Sequence, residues 1–489
     1  MTGPFVIQLR GALAEQSSMP AYRRLARAIE DMIERGELLP GTRLPPERDL
    51  AAGLRIARNT VVKAYGVLST ERLIRRDRGR GTTVSGDTTV AVSARMGELA
   101  TSAQRSVVFR TLSDSPVGTI DLLAASVPSN PRVTELLSEA WERVDLTQLV
   151  EHHGYYPFGF PPLRAAIADH LSRHGLRTID DQVLITSGAQ QAISLVAAWV
   201  SDAAGIVVVE NPTYPGAIDA FRAAGARILT LPLGPDGLDV DELEAHVSTG
   251  LVRAIFVMPT FHNPTGFVMP VSARQQLAEL ARAGGTVVVE DHAMGDIRIT
   301  SAPIPPPIAA LAGPESPIIY IDSLSKTYWG GLRVGWIRAP RSIISHLARV
   351  RTSADLAGVL PTQAMAVDLV ARLDEVSEIR RRELAERLEA VASLMTGLLP
   401  DWRWRAPTGG LCLWARLPYG SATELAVIAA RHGVAIVSGA VMSADAQFDD
   451  HVRLPLGAAL NDLEQGLARL GHAWNEYAHA NGSVSHLVV

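Results

Sequence analysis

Two lysines stand against forty-four arginines in these 489 residues. Lys326 lies in Ser323-Leu324-Ser325-Lys326, and Arg333 follows seven positions later in Gly330-Gly331-Leu332-Arg333-Val334-Gly335. The other, Lys63, falls in a short basic stretch near the N-terminus. Arginine replaces lysine as a surface charge, but its guanidinium stays protonated and forms no stable imine with an aldehyde. A lysine set beside two serines in so lysine-poor a chain points to amine chemistry at Lys326.

The elements that must position Lys326 follow from hydrophobic patterning. Short apolar runs bounded by turn residues occur at Gln182–Thr186, Ile206–Glu210, Ala254–Met258, Thr286–Glu290, Pro317–Asp322 and Val334–Ile337, with helical stretches between. Near-continuous apolar strands alternating with helices predict a mostly parallel sheet covered on both faces. Ligands of such sheets bind beyond the carboxyl ends of the strands. Those ends carry Thr186-Ser187-Gly188-Ala189, then Asn211-Pro212-Thr213-Tyr214, His262-Asn263-Pro264, Glu290-Asp291-His292-Ala293 and the Lys326 segment. A glycine turn opening a helix at Ser187, Gly188 and Ala189 would offer free backbone N–H groups to a phosphate.

Charge is divided unevenly. Residues 1–85 carry a net charge of +6 and the remainder −11, giving −5 for the chain. A basic first sixth on an acidic body predicts that the N-terminal part meets a polyanion. Leu25, Ile29, Met32 and Ile33 fall at helical spacing, Pro45 to Ala51 opens a second short helix, and Ala57 to Glu71 forms a third. Residues 73–84 read as a β-hairpin with an arginine tip. Three helices and a basic hairpin describe a winged helix-turn-helix. Its third helix would present Arg58, Asn59, Thr60 and Lys63 to the major groove, with Arg48 beside them and Arg78 and Arg80 on the wing. Charge alone is equally compatible with a helical docking domain whose arginines are solvated.

The single cysteine, Cys412, excludes an intrachain disulfide and any cysteine-based metal cage, and its apolar neighbours predict a buried strand position. No metal site is expected. The absence of a signal-like h-region or a bilayer-length apolar run predicts a cytoplasmic protein with no membrane partner.

Gly41-Thr42-Arg43-Leu44-Pro45-Pro46-Glu47-Arg48-Asp49-Leu50-Ala51, Arg58-Asn59-Thr60-Val61 and Gly79-Arg80-Gly81-Thr82 together resemble the GntR-type regulators. The five strand ends, in their order, resemble the fold type I pyridoxal-phosphate enzymes of the aspartate aminotransferase group over residues 119–489. The fusion resembles the MocR regulators. It implies a DNA-binding domain at 1–85, a linker at 86–118 and an aminotransferase-like domain at 119–489.

The resemblance also implies roles. Lys326 would hold pyridoxal 5'-phosphate as an aldimine. Arg333, Ser323 and Ser325 would hold its phosphate together with Ser187, Gly188 and Ala189. Tyr214 would stack on the ring, Asp291 would pair with its nitrogen and Asn263 would donate to its 3-oxygen. Arg453 matches a clamp for an α-carboxylate, and Tyr155 a residue that reaches a partner subunit's cofactor. The expected partners are a double-stranded DNA operator, an amine or amino-acid effector and a second copy of the chain in a homodimer. The family's tyrosine after the fourth strand is replaced here by Ala293, which disfavours efficient transamination; His292, adjacent to Asp291, should point elsewhere. The leading expectation is therefore a regulator that senses an amine, an amino acid or the cofactor itself. An active aminotransferase with an appended DNA-binding domain, and a regulator with a dead site, remain alternatives.

Overall fold

The computed structural model describes residues 9, 20–34, 42–70, 73–77, 81–84, 118–127, 129–201, 205–234 and 237–482. The chain divides into two compact units, Met1–Arg105 and Ser106–Val489.

In the first unit, α1 (Ala21–Glu34), α2 (Glu47–Leu54) and α3 (Arg58–Thr70) accompany a three-stranded sheet. Its strands are β1 (Arg43–Leu44), β2 (Ile74–Asp77) and β3 (Gly81–Val84), with β3 in the middle and antiparallel to both neighbours. The core gathers Leu25, Ile29 and Met32 of α1, Leu50 and Leu54 of α2, and Val61, Tyr65 and Leu68 of α3. Each set recurs at three- or four-residue spacing, so one face of every helix is removed from water. The Tyr65 hydroxyl donates to the Pro45 carbonyl at 2.9 Å, fixing α3 against the start of α2. The three predicted helices and the hairpin strands are present; β1, too short for any periodic signal, completes the sheet. The hairpin tip, with Arg78 and Arg80, and most of the expected linker lie outside the described residues.

The first described strand of the second unit is β4 (Ile120–Asp121), and the unit is built on an eight-stranded sheet. Its strands are β5 (Val183–Thr186), β6 (Ile206–Asn211), β7 (Arg227–Gly234), β8 (Gly237–Leu238), β9 (Val252–Val257), β10 (Val287–Asp291), β11 (Ile318–Ser323) and β12 (Gly335–Arg338), in the order β5-β12-β11-β10-β9-β6-β7-β8. The neighbours from β11 to β7 run parallel, while β12 lies antiparallel between β11 and β5. Alternate residues enter two different cores. Val288, Ile318, Tyr320 and Trp336 face one, whereas Val289, Ile319, Ile321 and Ile337 face the other. Both faces are apolar because helices cover both, which is why the strands read as unbroken hydrophobic runs.

A smaller layer carries β13 (Cys412–Arg416), β14 (Val434–Ala435), β15 (Val437–Ser438) and β16 (His451–Pro455). β16 lies between β13 and β15, and β14 pairs with β4. Cys412 is buried in its strand as expected.

Candidate functional site

The site assembles where parallel strands end. β5, β6, β9, β10 and β11 deliver Ser187, Tyr214, Asn263, Asp291 and Ser323 to the same end of the sheet. Because β12 runs the other way, its first residues also lie there, placing Arg333 beside them. Arg333 adopts a left-handed backbone at φ 53°, and its guanidinium donates to the Ser187 carbonyl. Gly188, at φ +87°, caps the twelve-residue helix Ala189–Val200. A methyl group there would come within 3.2 Å of the Arg333 guanidinium. Glycine is thus needed for the backbone angle, while an added methyl would crowd the Arg333 guanidinium.

Lys326 is half-buried, and its Nζ donates to the Ala125 carbonyl at 2.6 Å. Burial depresses its pKa; the Arg453 and Arg333 charges act in the same direction, while Cys412 and Asp291 oppose them. A depressed pKa raises the fraction of free amine available as a nucleophile. Asp291 is buried at the end of β10 and accepts from the Ala293 amide at 2.9 Å. Burial pushes its carboxyl up to about 6, assisted by the Asp322 charge. Tyr214 is pushed up to about 12, first by burial and then by Asp291. Its ring lies against Gly216, where an added Cβ would meet ring carbons at 2.5 Å. Arg453, on β16, is buried and donates to the Leu123 carbonyl. Asn263 is buried with the Cys412 thiol 3.8 Å from its Oδ1.

Lys326, Arg333, Asp291, Tyr214 and Arg453 therefore share one electrostatic neighbourhood. Ser325 and Ser323 lie beside Lys326, with the Ser325 amide 3.4 Å from the Ser323 hydroxyl. The Ser187 amide is already engaged, donating to Gln191 Oε1 at 2.7 Å, and Gln191 is in turn held by Asp355. That leaves the Ser187 hydroxyl and the first amides of the helix to face a ligand. Tyr155 is 60% exposed and stacks on His153. His292 points away from Asp291, as expected, and meets Tyr320 on the opposite face of the sheet.

The residues fit pyridoxal phosphate. A guanidinium above a glycine-opened helix suits a phosphate, and a buried carboxyl suits a ring nitrogen. The buried side chains also include acceptors and donors without protein partners, among them Thr213 Oγ1, Gln190 Oε1 and Arg453 Nε. Buried polar atoms are costly when left unmatched, so a polar molecule that met these three would be stabilised by them. Sequence reading missed Cys412 as a neighbour of Lys326, and missed the carbonyls of Leu123 and Ala125. Main-chain groups have no side-chain signature.

In the first unit, Arg48, Arg58, Asn59 and Lys63 are exposed and Thr60 is half-buried. Arg58 pairs with Glu47 at 3.5 Å, and Lys63 lies 5.9 Å from the centre of the Tyr22 ring. We expect Arg58→Ala to weaken binding to promoter DNA about tenfold, with cofactor uptake unchanged. Fluorescence anisotropy of labelled DNA at two salt concentrations checks this, and equal affinity would remove Arg58 from the DNA surface.

Among the described residues no helix is long and apolar enough to cross a membrane, and no cluster of ligating side chains is placed to hold a metal. Residues 122–470 match the family of aminotransferase class I and II, and residues 21–84 match the gntR family of bacterial regulatory proteins. The uncharacterized HTH-type transcriptional regulator YdfD of Bacillus subtilis (strain 168) is 28% identical over 481 residues, 95% of this chain and 98% of its own length. The probable rhizopine catabolism regulatory protein MocR of Rhizobium meliloti is 29% identical over 407 residues, 80% of each chain. A solved structure of the alpha-aminoadipate aminotransferase LysN from Thermus thermophilus, complexed with N-(5'-phosphopyridoxyl)-L-leucine, superposes with a TM-score of 0.69. It is 30% identical, and the match covers 78% of this chain and 98% of that one. A helix-turn-helix of the GntR type joined to a class I and II aminotransferase domain places this chain among the MocR-type regulators.

Proposed function

We propose that the protein is a pyridoxal-phosphate-dependent transcriptional regulator that senses an amine or amino acid, or the cofactor itself, at Lys326. The observation that carries this reading is a lysine of depressed pKa beside Asp291 and Arg333, in a chain that also bears a basic helix-turn-helix. When bound, the cofactor supplies an aldehyde that captures amines and a ring that withdraws electrons. Arg333, the Ser187, Ser323 and Ser325 hydroxyls and the amides of Gly188 and Ala189 anchor its phosphate. Tyr214 covers one ring face, Asp291 holds a proton at the ring nitrogen, and Asn263 donates to the ring oxygen. Arg453 receives an effector carboxylate through its guanidinium edge. Tyr155 completes the site of a second copy in a two-fold dimer, whose paired domains would read a repeated operator in the cytoplasm. Effector binding can move the DNA-binding units only through a difference in its affinity for two states of the body.

A working aminotransferase is the second reading, favoured by the likeness to LysN. One experiment separates the two: titrate cofactor-loaded protein with a panel of amino acids, following visible absorption and keto-acid release. A stable spectral change without keto acid supports the sensor. Keto acid at multiple turnovers supports the enzyme. No response from any amine, with DNA affinity set by cofactor alone, leaves a cofactor sensor.

Asp291 also gives a pH prediction. Its folded value, about 6, lies above its unfolded one, so the folded chain holds the proton more tightly. The associated stability is full below the unfolded value and is lost as pH rises through about 6. Without cofactor, Asp291→Asn should therefore be more stable than wild type near pH 7, by on the order of 2–3 kcal/mol, with the gap closing toward pH 4. The same variant should bind the cofactor more weakly. Denaturation of both cofactor-free proteins across that range is the check; a gap that persists at pH 4 contradicts it.

A further inference from the structure

The opposite face of the same strand ends holds a second cavity, about 580 Å³ in volume. Its floor follows from the alternation of strands. Asp291 and Ser323 point to the Lys326 side, so His292, Tyr320 and Asp322 point to the other. The walls come from the end of the helix Pro161–Arg173, the segment 295–307 and the start of the helix Leu373–Leu398.

Charge in this cavity is partly matched and partly not. Its lining contains four carboxylates, Asp296, Asp322, Asp374 and Glu378, against the guanidiniums of Arg298 and Arg381. Glu378 accepts from two nitrogens of Arg381, at 2.7 and 2.8 Å, and from Arg382 at 2.9 Å, and Asp374 is paired with His174 at 3.0 Å. Asp322 accepts from the Tyr320 hydroxyl at 3.1 Å and faces His292 at 3.8 Å. The Arg298 guanidinium donates to the Ala302 carbonyl at 2.6 Å. Two groups remain. The Asp296 carboxylate has no hydrogen-bond or ion-pair partner among the described residues, and neither does the His170 ring, which is 7% exposed and borders the cavity.

We infer that this cavity is a second ligand site, separate from the Lys326 site, and that it takes a small organic amine as its ammonium ion. An ammonium brings one positive charge and three donors, which Asp296 and an imidazole nitrogen of His170 would accept. Burial pushes Asp296 up to about 6, with repulsion from Asp322 adding to it, and an adjacent cation relieves both. Burial pushes His170 down to about 4, so its ring is neutral and keeps one acceptor nitrogen. Asp296 is the lining carboxylate left without a partner, so a ligand bound beside it is better a cation than an anion, and no metal-holding cluster exists among the described residues. Leu171, Leu176 and Ile304 offer an apolar wall to a short carbon chain. The volume lies in the range of small-molecule sites.

The test uses full-length Lys326→Ala protein freed of cofactor, so that no amine is captured by an aldehyde, and n-butylamine as the probe. Isothermal titration calorimetry should show saturable binding of one molecule per chain. Asp296→Asn and His170→Leu, each added to Lys326→Ala, should weaken it at least about tenfold. Arg453→Ala, on the other face, should leave it unchanged. Thermal midpoints of the variants confirm folding. Absence of saturable binding overturns the inference, as does binding lost with Arg453→Ala and kept with Asp296→Asn. Either result leaves the proposed role of Lys326 standing, because that role is read from cofactor-loaded protein with its lysine intact.

Discussion

Full-length Lys326→Ala is expected to lose every covalent attachment to pyridoxal phosphate while keeping its fold and basal DNA affinity. Borohydride treatment of cofactor-loaded wild type should add the cofactor's mass to one peptide, the one containing Lys326. The variant should show no such addition. The effect is all-or-none because the only other lysine is Lys63, in the first unit beside Tyr22. Replacement by arginine should fail equally, since a guanidinium stays protonated at working pH. The fold should survive because Lys326 is half-buried and makes one hydrogen bond, to a main-chain carbonyl. Removing a depressed amine from a partly apolar setting costs little packing. A covalent adduct on the variant would refute the assignment.

Gly335→Ala should have the second-largest effect, through backbone geometry alone. A Cβ at position 335 would lie 2.8 Å from the Gly188 backbone and 2.9 Å from the Asp322 carbonyl. Neither obstacle is a flexible side chain, so β12 must separate from β5 or β11. Overpacking of this kind costs about 1–3 kcal/mol, and a clash confined to main chain falls at or above the upper end. The displaced strand carries Arg333 away from Gly188, so cofactor affinity should fall at least about tenfold as well. Gly397→Ala is the control, because it lies within the helix Leu373–Leu398 with nothing within 4 Å of the added methyl. That change should stabilise the body slightly, by about 0.5–1 kcal/mol. Chemical denaturation and cofactor fluorescence titration of both variants test the pair. Comparable stability of Gly335→Ala and wild type would show that β12 has more room than its contacts allow.

Much of this architecture is readable from local pattern. The six apolar runs from 182 to 337 each became a strand, with ends displaced by at most a few residues. They were legible because burial on both faces writes itself as uninterrupted hydrophobic sequence. β7 escaped notice because it is half-exposed and contains Pro232, which breaks both run and alternation. The Lys326 site was legible because strand ends are local features, even though Lys326 and Arg453 are far apart in the chain. What could not be read were contacts made by main-chain atoms or by partners remote in sequence. Leu123 and Ala125 contribute carbonyls, and Gln191 is tied to Asp355 across 164 positions. The second cavity was hidden for the same reason. His170, Asp296 and Asp374 come from three separate segments, and each alone reads as an ordinary surface residue.

The antiparallel placement of β12 also decides when the proposed cofactor site can form. β12 pairs with β5 across about 150 residues, and only that pairing brings Ser187 and Gly188 under Arg333. Such long-range closure has to overcome a large loop entropy before it is rewarded, so it belongs late in folding. During synthesis, a ribosome that has finished β5 must still produce everything up to Arg338 before the proposed phosphate cradle can exist. On the proposed reading a partly made chain would offer pyridoxal phosphate no such cradle, and its uptake would report completion of the sheet.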